Sequence, residues 1–127
     1  MATKVSVLVL FLLAITLTGK AQLTQQEEDS IQQRYSAELR VTGKTFIAYF
    51  RPHYKQIYSM PEHAFLTRID SARDAFFRVL KGYMHRLDFD FAQEQNLEIN
   101  YYFDKMLAEY PYTHEVFTGE VDRKSVV

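Results

Sequence analysis

Three stretches of the chain place apolar side chains three or four positions apart, which is the period of an α-helix with one buried face. The faces consist of Ile31, Tyr35, Leu39, Thr42, Phe46 and Phe50, then Phe65, Ile69, Ala72, Phe76, Leu80, Tyr83 and Leu87, then Ala92, Asn96, Ile99, Phe103, Met106 and Tyr110, in which Thr42 and Asn96 are the polar members. Residues 45–50 also have the composition of a strand, but the helical period continues through them. Three such faces are buried best against one another, so we predict an all-α fold, a small antiparallel bundle.

Capping residues and prolines set the predicted ends of these helices. Two pairs have the spacing of a capping box, and two prolines fall where the apolar period breaks. The pairs are Thr24 with Glu27 and Ser59 with Glu62, and the prolines are Pro52 and Pro111. Asp88 or Asp90 is positioned to cap the third helix. We therefore predict main helices at about residues 24–50, 60–87 and 91–110, with a short helical connector at 52–58.

The first 21 residues have the pattern of a secretory signal. Residues 5–18 are apolar, Lys4 precedes them, and Gly19 and Ala21 follow as small residues. The run is shorter than the ~20 residues that span a bilayer as a helix. We predict cleavage after Ala21, and a single helical domain at 22–127 with a mobile, disordered tail from about residue 119. The domain would be exported to the periplasm or the extracellular space. The alternative is an uncleaved segment that anchors an accessory subunit of a membrane complex.

Charge and cysteine content exclude several classes of function. Without Lys4 and Lys20, 13 of the 15 basic side chains remain against 16 acidic ones, a net charge of −3. That balance lacks the basic face that nucleic acids or anionic membranes require. We therefore predict no nucleic-acid partner and no membrane insertion after cleavage. Since the chain contains no cysteine, thiol catalysis, zinc–thiolate sites and disulfides are also excluded.

The chain contains no recognisable catalytic constellation. No serine lies in a Gly-x-Ser-x-Gly motif, and the four glycines are too scattered for a phosphate-binding loop. The pair Asp70 and Asp74 has arginine neighbours, and helix capping explains Asp88 and Asp90. We predict that the protein is not an enzyme.

The histidines give only weak candidates for a metal site. None belongs to a His-x-x-x-His or Glu-x-x-His pattern, and we predict no cofactor. Methionine sulfur beside imidazole suits copper or haem iron, so a helical bundle that binds a metal, a haem or a small ligand remains an alternative. The weak candidates for ligands are His53, Met60, His63 and His85.

Aromatic residues are the largest excess in the composition. The chain has nine tyrosines and ten phenylalanines but no tryptophan, and several rings fall outside the predicted inner faces. Tyrosine and arginine are enriched at protein interfaces. We therefore predict a protein-binding or accessory subunit of the cell envelope, with a homodimer as a special case. The alternative is that these rings are half-buried around a small core. The predicted partner-binding residues are Tyr49, Arg51, Tyr54, Tyr58, Tyr101, Tyr102 and Tyr112.

Overall fold

The computed structural model describes residues 24–120, which form four helices and one short 3-10 turn. The elements are α1 (Gln25–Phe50), α2 (Tyr54–Tyr58), α3 (Glu62–Tyr83), the 3-10 turn (Met84–Arg86) and α4 (Phe89–Thr118). The predicted all-α bundle of three main helices with a helical connector is confirmed. The predicted signal at residues 1–21 lies outside the described residues, as does the predicted tail from about residue 119, apart from Gly119 and Glu120. Within the described range, no helix is both long and apolar enough to cross a membrane.

The middle long helix, α3, runs antiparallel to both α1 and α4. Aromatic contacts fix these directions, because early residues of one helix meet late residues of the next. The contacts are Tyr35–Tyr83 and Phe46–Phe76 between α1 and α3, and Phe76–Phe103 and Phe65–Tyr110 between α3 and α4. The first and last long helices, α1 and α4, therefore run parallel to each other.

Aromatic rings fill the space between the three long helices. The ring of Phe103 in α4 is fully buried and packs edge-on against Phe46 in α1 and Phe76 in α3, with centroids 5.6 and 5.0 Å apart. Such pairs contribute about 0.5–1.5 kcal/mol beyond the burial of their area. Most of the predicted inner positions are buried, among them Ile31, Tyr35, Phe50, Phe65, Ile69, Leu80, Ala92, Ile99, Met106 and Tyr110.

Two of the predicted N-terminal caps are confirmed. The Thr24 hydroxyl accepts a hydrogen bond from the Glu27 amide at 3.1 Å, and the Asp88 carboxylate accepts one from the Phe91 amide at 3.2 Å. Each bond satisfies an amide that the start of a helix leaves without a backbone partner. The last helix therefore begins at Phe89, slightly earlier than predicted.

The second predicted capping box, Ser59 with Glu62, is wrong. Ser59 has helical backbone angles (φ −82°, ψ −9°), and its amide donates to the Lys55 carbonyl, so that it closes α2. An N-cap residue needs extended angles, and Pro61 has them (φ −55°, ψ 152°) before α3 begins at Glu62. Ser59 is thus part of the end of one helix and is not available to start the next.

The predicted stop at Pro111 is also wrong, because α4 continues through this proline to its end. A proline inside a helix costs about 3 kcal/mol, since it removes an amide donor and its ring crowds the preceding turn. Tertiary contacts beyond it offset this cost. The Phe117 ring packs edge-on against Tyr54 at 5.7 Å, and Nδ1 of His114 lies 2.8 Å from the Tyr58 carbonyl oxygen.

The ends of α3 and α4 also differ from the prediction. The α3 helix ends at Tyr83, and Met84–Arg86 form a 3-10 turn before the chain extends at Leu87. Gly119 ends α4 with a left-handed conformation (φ 75°), which glycine adopts without steric cost.

Candidate functional site

The predicted partner-binding residues do not form a single surface. Tyr58 is only 1% exposed, and its ring packs against Phe65 at 5.1 Å, so it belongs to the core and is not available to a partner. Tyr54 is partly exposed, and its ring lies against Tyr58 and Phe117. Both tyrosines therefore help to hold α2 against the bundle, together with Ile57, which is also only 1% exposed.

Tyr49 lies at the edge of a groove between α1 and α3. Its ring stacks on His53 with centroids 4.5 Å apart, and its hydroxyl accepts a hydrogen bond from Arg68 at 2.9 Å. Arg51 is exposed at the C-terminal end of α1. The ring of Tyr102 meets three core rings where α1 approaches α4, so much of its surface is used inside the molecule. Burial raises the pKa of Tyr102, and the nearby Arg51 charge partly opposes that shift.

The remaining two predicted residues, Tyr101 and Tyr112, lie on the side of α4 that points away from the core. Leu97 and Val116 share that side, and all four side chains are between 60% and 75% exposed. At about 100° per residue these positions fall within roughly 100° of one another, opposite the buried positions of α4. We call these four residues the α4 outer face.

Acidic side chains surround the α4 outer face. The sequence of α4 contains six carboxylates and a single lysine. Asp104 forms an ion pair with Arg73 of α3 at 2.9 Å. The other five are exposed and form no ion pair with a residue in the described range; they are Asp90, Glu94, Glu98, Glu109 and Glu115. The outer face therefore combines large apolar side chains with an excess of negative charge.

An apolar groove of about 440 Å³ separates the outer edges of α1 and α3. Binding pockets for small molecules have volumes of about 300–1,000 Å³, apolar walls and a few polar groups. Among residues 24–120, Arg68 is the only charged one that lines this groove, and α4 contributes nothing to it. We call it the α1–α3 groove. Its apolar lining includes Val41, Phe46, Phe50, Ile57, Ala72, Ala75 and Phe76.

The weak metal candidates are not brought together. Met60 and His63 line one shallow depression, whereas Nδ1 of His53 contacts the Tyr49 carbonyl at 2.7 Å. His85 lies in the 3-10 turn beyond the other end of α3, about 33 Å from His63 at ~1.5 Å per residue. Between residues 24 and 120, no three His, Cys, Asp or Glu side chains are grouped so that they can hold a metal ion.

His114 is a buried polar residue that the sequence analysis did not select. A carbonyl oxygen only accepts hydrogen bonds, so Nδ1 carries the hydrogen in the contact with Tyr58, and Nε2 faces the Glu120 carboxylate at 3.3 Å. Its position four residues after the buried Tyr110 continues the helical period. The spacing alone therefore predicts a buried His114 once the helix is extended beyond Pro111.

No protein-family model, curated protein or solved structure matches the chain.

Two buried tyrosines predict a loss of stability at alkaline pH. The Tyr35 hydroxyl donates to Oε1 of Gln95 at 2.9 Å, and burial, with a smaller effect from Glu98, raises the pKa of Tyr35 to about 12. Burial and then Glu109 also raise the pKa of Tyr58. In the unfolded chain tyrosine titrates near about pH 10. The stabilisation is therefore fully present below about pH 10 and is lost as the pH rises towards about 12.

Urea unfolding at a series of pH values across that window measures this loss. We expect Tyr35→Phe to reduce the dependence of the unfolding free energy on pH, because phenylalanine has no proton to release. Tyr112→Phe, at an exposed position, is the matched control and keeps the full dependence. The same alkaline slope in Tyr35→Phe and in the unchanged protein would contradict the assignment.

Proposed function

We propose that the protein is an exported, non-catalytic binding subunit of the cell envelope that holds a protein partner against the α4 outer face. The observation that carries the proposal is the exposure of Leu97, Tyr101, Tyr112 and Val116 on the side of α4 opposite the core. Clusters of exposed apolar side chains mark interaction sites, and tyrosine is among the residues that contribute most binding energy at interfaces.

The charges around this face favour a particular kind of partner. Five carboxylates of α4 without an ion pair in the described range surround it, so a partner with apolar side chains flanked by lysine or arginine complements it. A second copy of the same face would bring like charges together, which costs free energy. We therefore propose that the partner is a different protein with a basic surface, and not a second copy of this chain bound through α4. Export rests on the signal-like sequence of residues 1–21.

A photo-reactive amino acid at position 101 tests this proposal in the source cells. We expect it to cross-link a protein whose linked peptide contains apolar and basic residues. The matched control places the same group at Lys81, which is exposed on α3 and does not belong to the α4 outer face, and we expect no cross-link above background there. Tyr101→Ser combined with Tyr112→Ser is expected to weaken the purified complex about a thousandfold, because each such anchor contributes about 2 kcal/mol.

Several outcomes would count against the proposal. Cross-links to a second copy of the chain, cross-links to an acidic peptide, or equal yields from positions 101 and 81 would each reject the basic partner. N-terminal sequencing of the same material tests export, since a signal cleaved as predicted leaves Gln22 as the first residue.

A further inference from the structure

We propose that the α1–α3 groove binds one free fatty acid, with its alkyl chain in the groove and its carboxylate at Arg68. This site is separate from the α4 outer face, because no residue of α4 lines it. Fatty-acid binding in the groove and protein binding at the α4 outer face are independent, so either can fail without the other.

The walls of the groove suit a single alkyl chain. Aromatic rings of Phe46, Phe50 and Phe76 provide the apolar surface, while the small side chains of Ala72 and Ala75 on α3 leave space between the helices. Each methylene group removed from water into such a surface tightens binding about fourfold. An alkyl chain therefore gains affinity from the groove in proportion to the length that is buried.

The polar end of the groove suits an anion. Nη1 of Arg68 donates to the Tyr49 hydroxyl at 2.9 Å, and the guanidinium lies 5.1 Å from the centroid of the Tyr49 ring. These contacts hold the guanidinium in place while its other N–H groups remain available. No carboxylate of the described residues lies within 4 Å of it. The Tyr49 hydroxyl oxygen accepts a hydrogen bond from Arg68, so the hydroxyl hydrogen of Tyr49 can still be donated to a bound carboxylate.

The size of the groove favours a fatty acid over a partner helix or a membrane surface. Its lining extends along α1 from Val41 to Phe50, about 13 Å at ~1.5 Å per residue. A partner helix is about 10–12 Å wide with its side chains, so a groove this short would enclose little more than two turns of one edge. A membrane surface would call for a basic face, whereas the described residues that line this groove include one cation. An extended alkyl chain with a single carboxylate matches both the length and the charge.

Calorimetric titration of the full chain with decanoate and with decanol tests the proposal. The two ligands share an alkyl chain and differ in the charge of the head group. We expect one decanoate to bind per chain, and Arg68→Gln to weaken it about tenfold to a hundredfold while decanol is unaffected. Arg78→Gln is the matched control, because Arg78 is exposed on α3 outside the groove, and it should change neither affinity.

Filling the groove tests the location of the alkyl chain. Ala75→Phe is expected to abolish binding of both ligands. If that variant does not fold, Val41→Asp places a charge at an exposed position of the lining and should weaken both ligands. Unchanged decanoate binding in Arg68→Gln or in a folded groove variant would overturn the proposal. So would a dimer that dissociates in Ala75→Phe, or Arg68-dependent binding to phosphatidylglycerol vesicles without binding of decanoate.

Discussion

Replacing Phe103 by alanine is expected to lower the free energy of unfolding by about 3–5 kcal/mol. The ring is fully buried where all three long helices meet, and it contacts Phe46 and Phe76 edge-on. Arg73 also lies over it, with the guanidinium carbon 5.9 Å from the ring centroid. Truncation removes these contacts and leaves a cavity that the rigid neighbouring rings fill poorly. Small domains have about 5–15 kcal/mol of stability in total, so the loss is a large part of it.

Urea unfolding measures this change, and Phe89→Ala is the matched control. Phe89 is 72% exposed at the first position of α4, so its truncation should change the unfolding free energy by less than about 0.5 kcal/mol. Equal effects at the two positions would show that Phe103 is not at the centre of the core.

Replacing Pro111 by alanine is expected to stabilise the protein by about 2 kcal/mol. Alanine restores the amide that can donate within α4 and removes the ring that crowds the preceding turn, a gain of about 3 kcal/mol. Part of that gain is lost, because alanine leaves the unfolded chain more freedom than proline by about 0.4–1 kcal/mol. The melting temperature and the urea midpoint should both rise.

Pro52→Ala is the control for this substitution, and the opposite sign is expected. Pro52 lies in the turn between α1 and α2, where no helix is interrupted, so only the unfolded-state effect remains. Stability should therefore fall by about 0.4–1 kcal/mol. If Pro111→Ala also lowers stability, the proline has a positive role in directing His114 and Phe117 towards α2.

The helices were predictable because each long one has a continuous inner face. Ile99, Phe103 and Met106 recur at helical spacing and are all buried, and Asp88 caps the helix that carries them. The capping residue and the apolar period of a helix both depend on residues that are close in sequence. These helices could therefore be predicted without knowing how the rest of the chain packs.

Errors in the prediction arose where distant contacts override local preference. Pro111 predicts a helix end by its own chemistry, but the hydrogen bond between His114 and the Tyr58 carbonyl joins residues 56 positions apart. Tyr58 is outside the three predicted inner faces, and its sequence position alone therefore predicts a surface residue. Tyr58 is buried because of the orientation of α2 on the bundle, which no local sequence pattern specifies.

The candidate sites were only partly predictable for a related reason. Tyr101 and Tyr102 are neighbours with the same chemistry, yet one points to solvent and the other meets three core rings. Consecutive residues of a helix point about 100° apart, so Tyr101 and Tyr102 face different directions. Their shared position outside the predicted inner face does not reveal this difference. The α1–α3 groove depends on how small residues of α3 face rings of α1, so only the packed structure reveals it.

Contacts between early parts of the chain and its last helix have a consequence for folding during translation. The hydrogen bond from Tyr35 to Gln95 joins residues 60 positions apart, and the bond from His114 to Tyr58 spans nearly as many. A ribosome releases the N-terminal part first, so neither bond forms until α4 has emerged. Until then α1 and α3 lack the ring of Phe103 that completes their shared core. We expect the nascent chain to lack its completed core for most of its translation, and the export proposed above requires a chain that is still unfolded when it reaches a secretion channel.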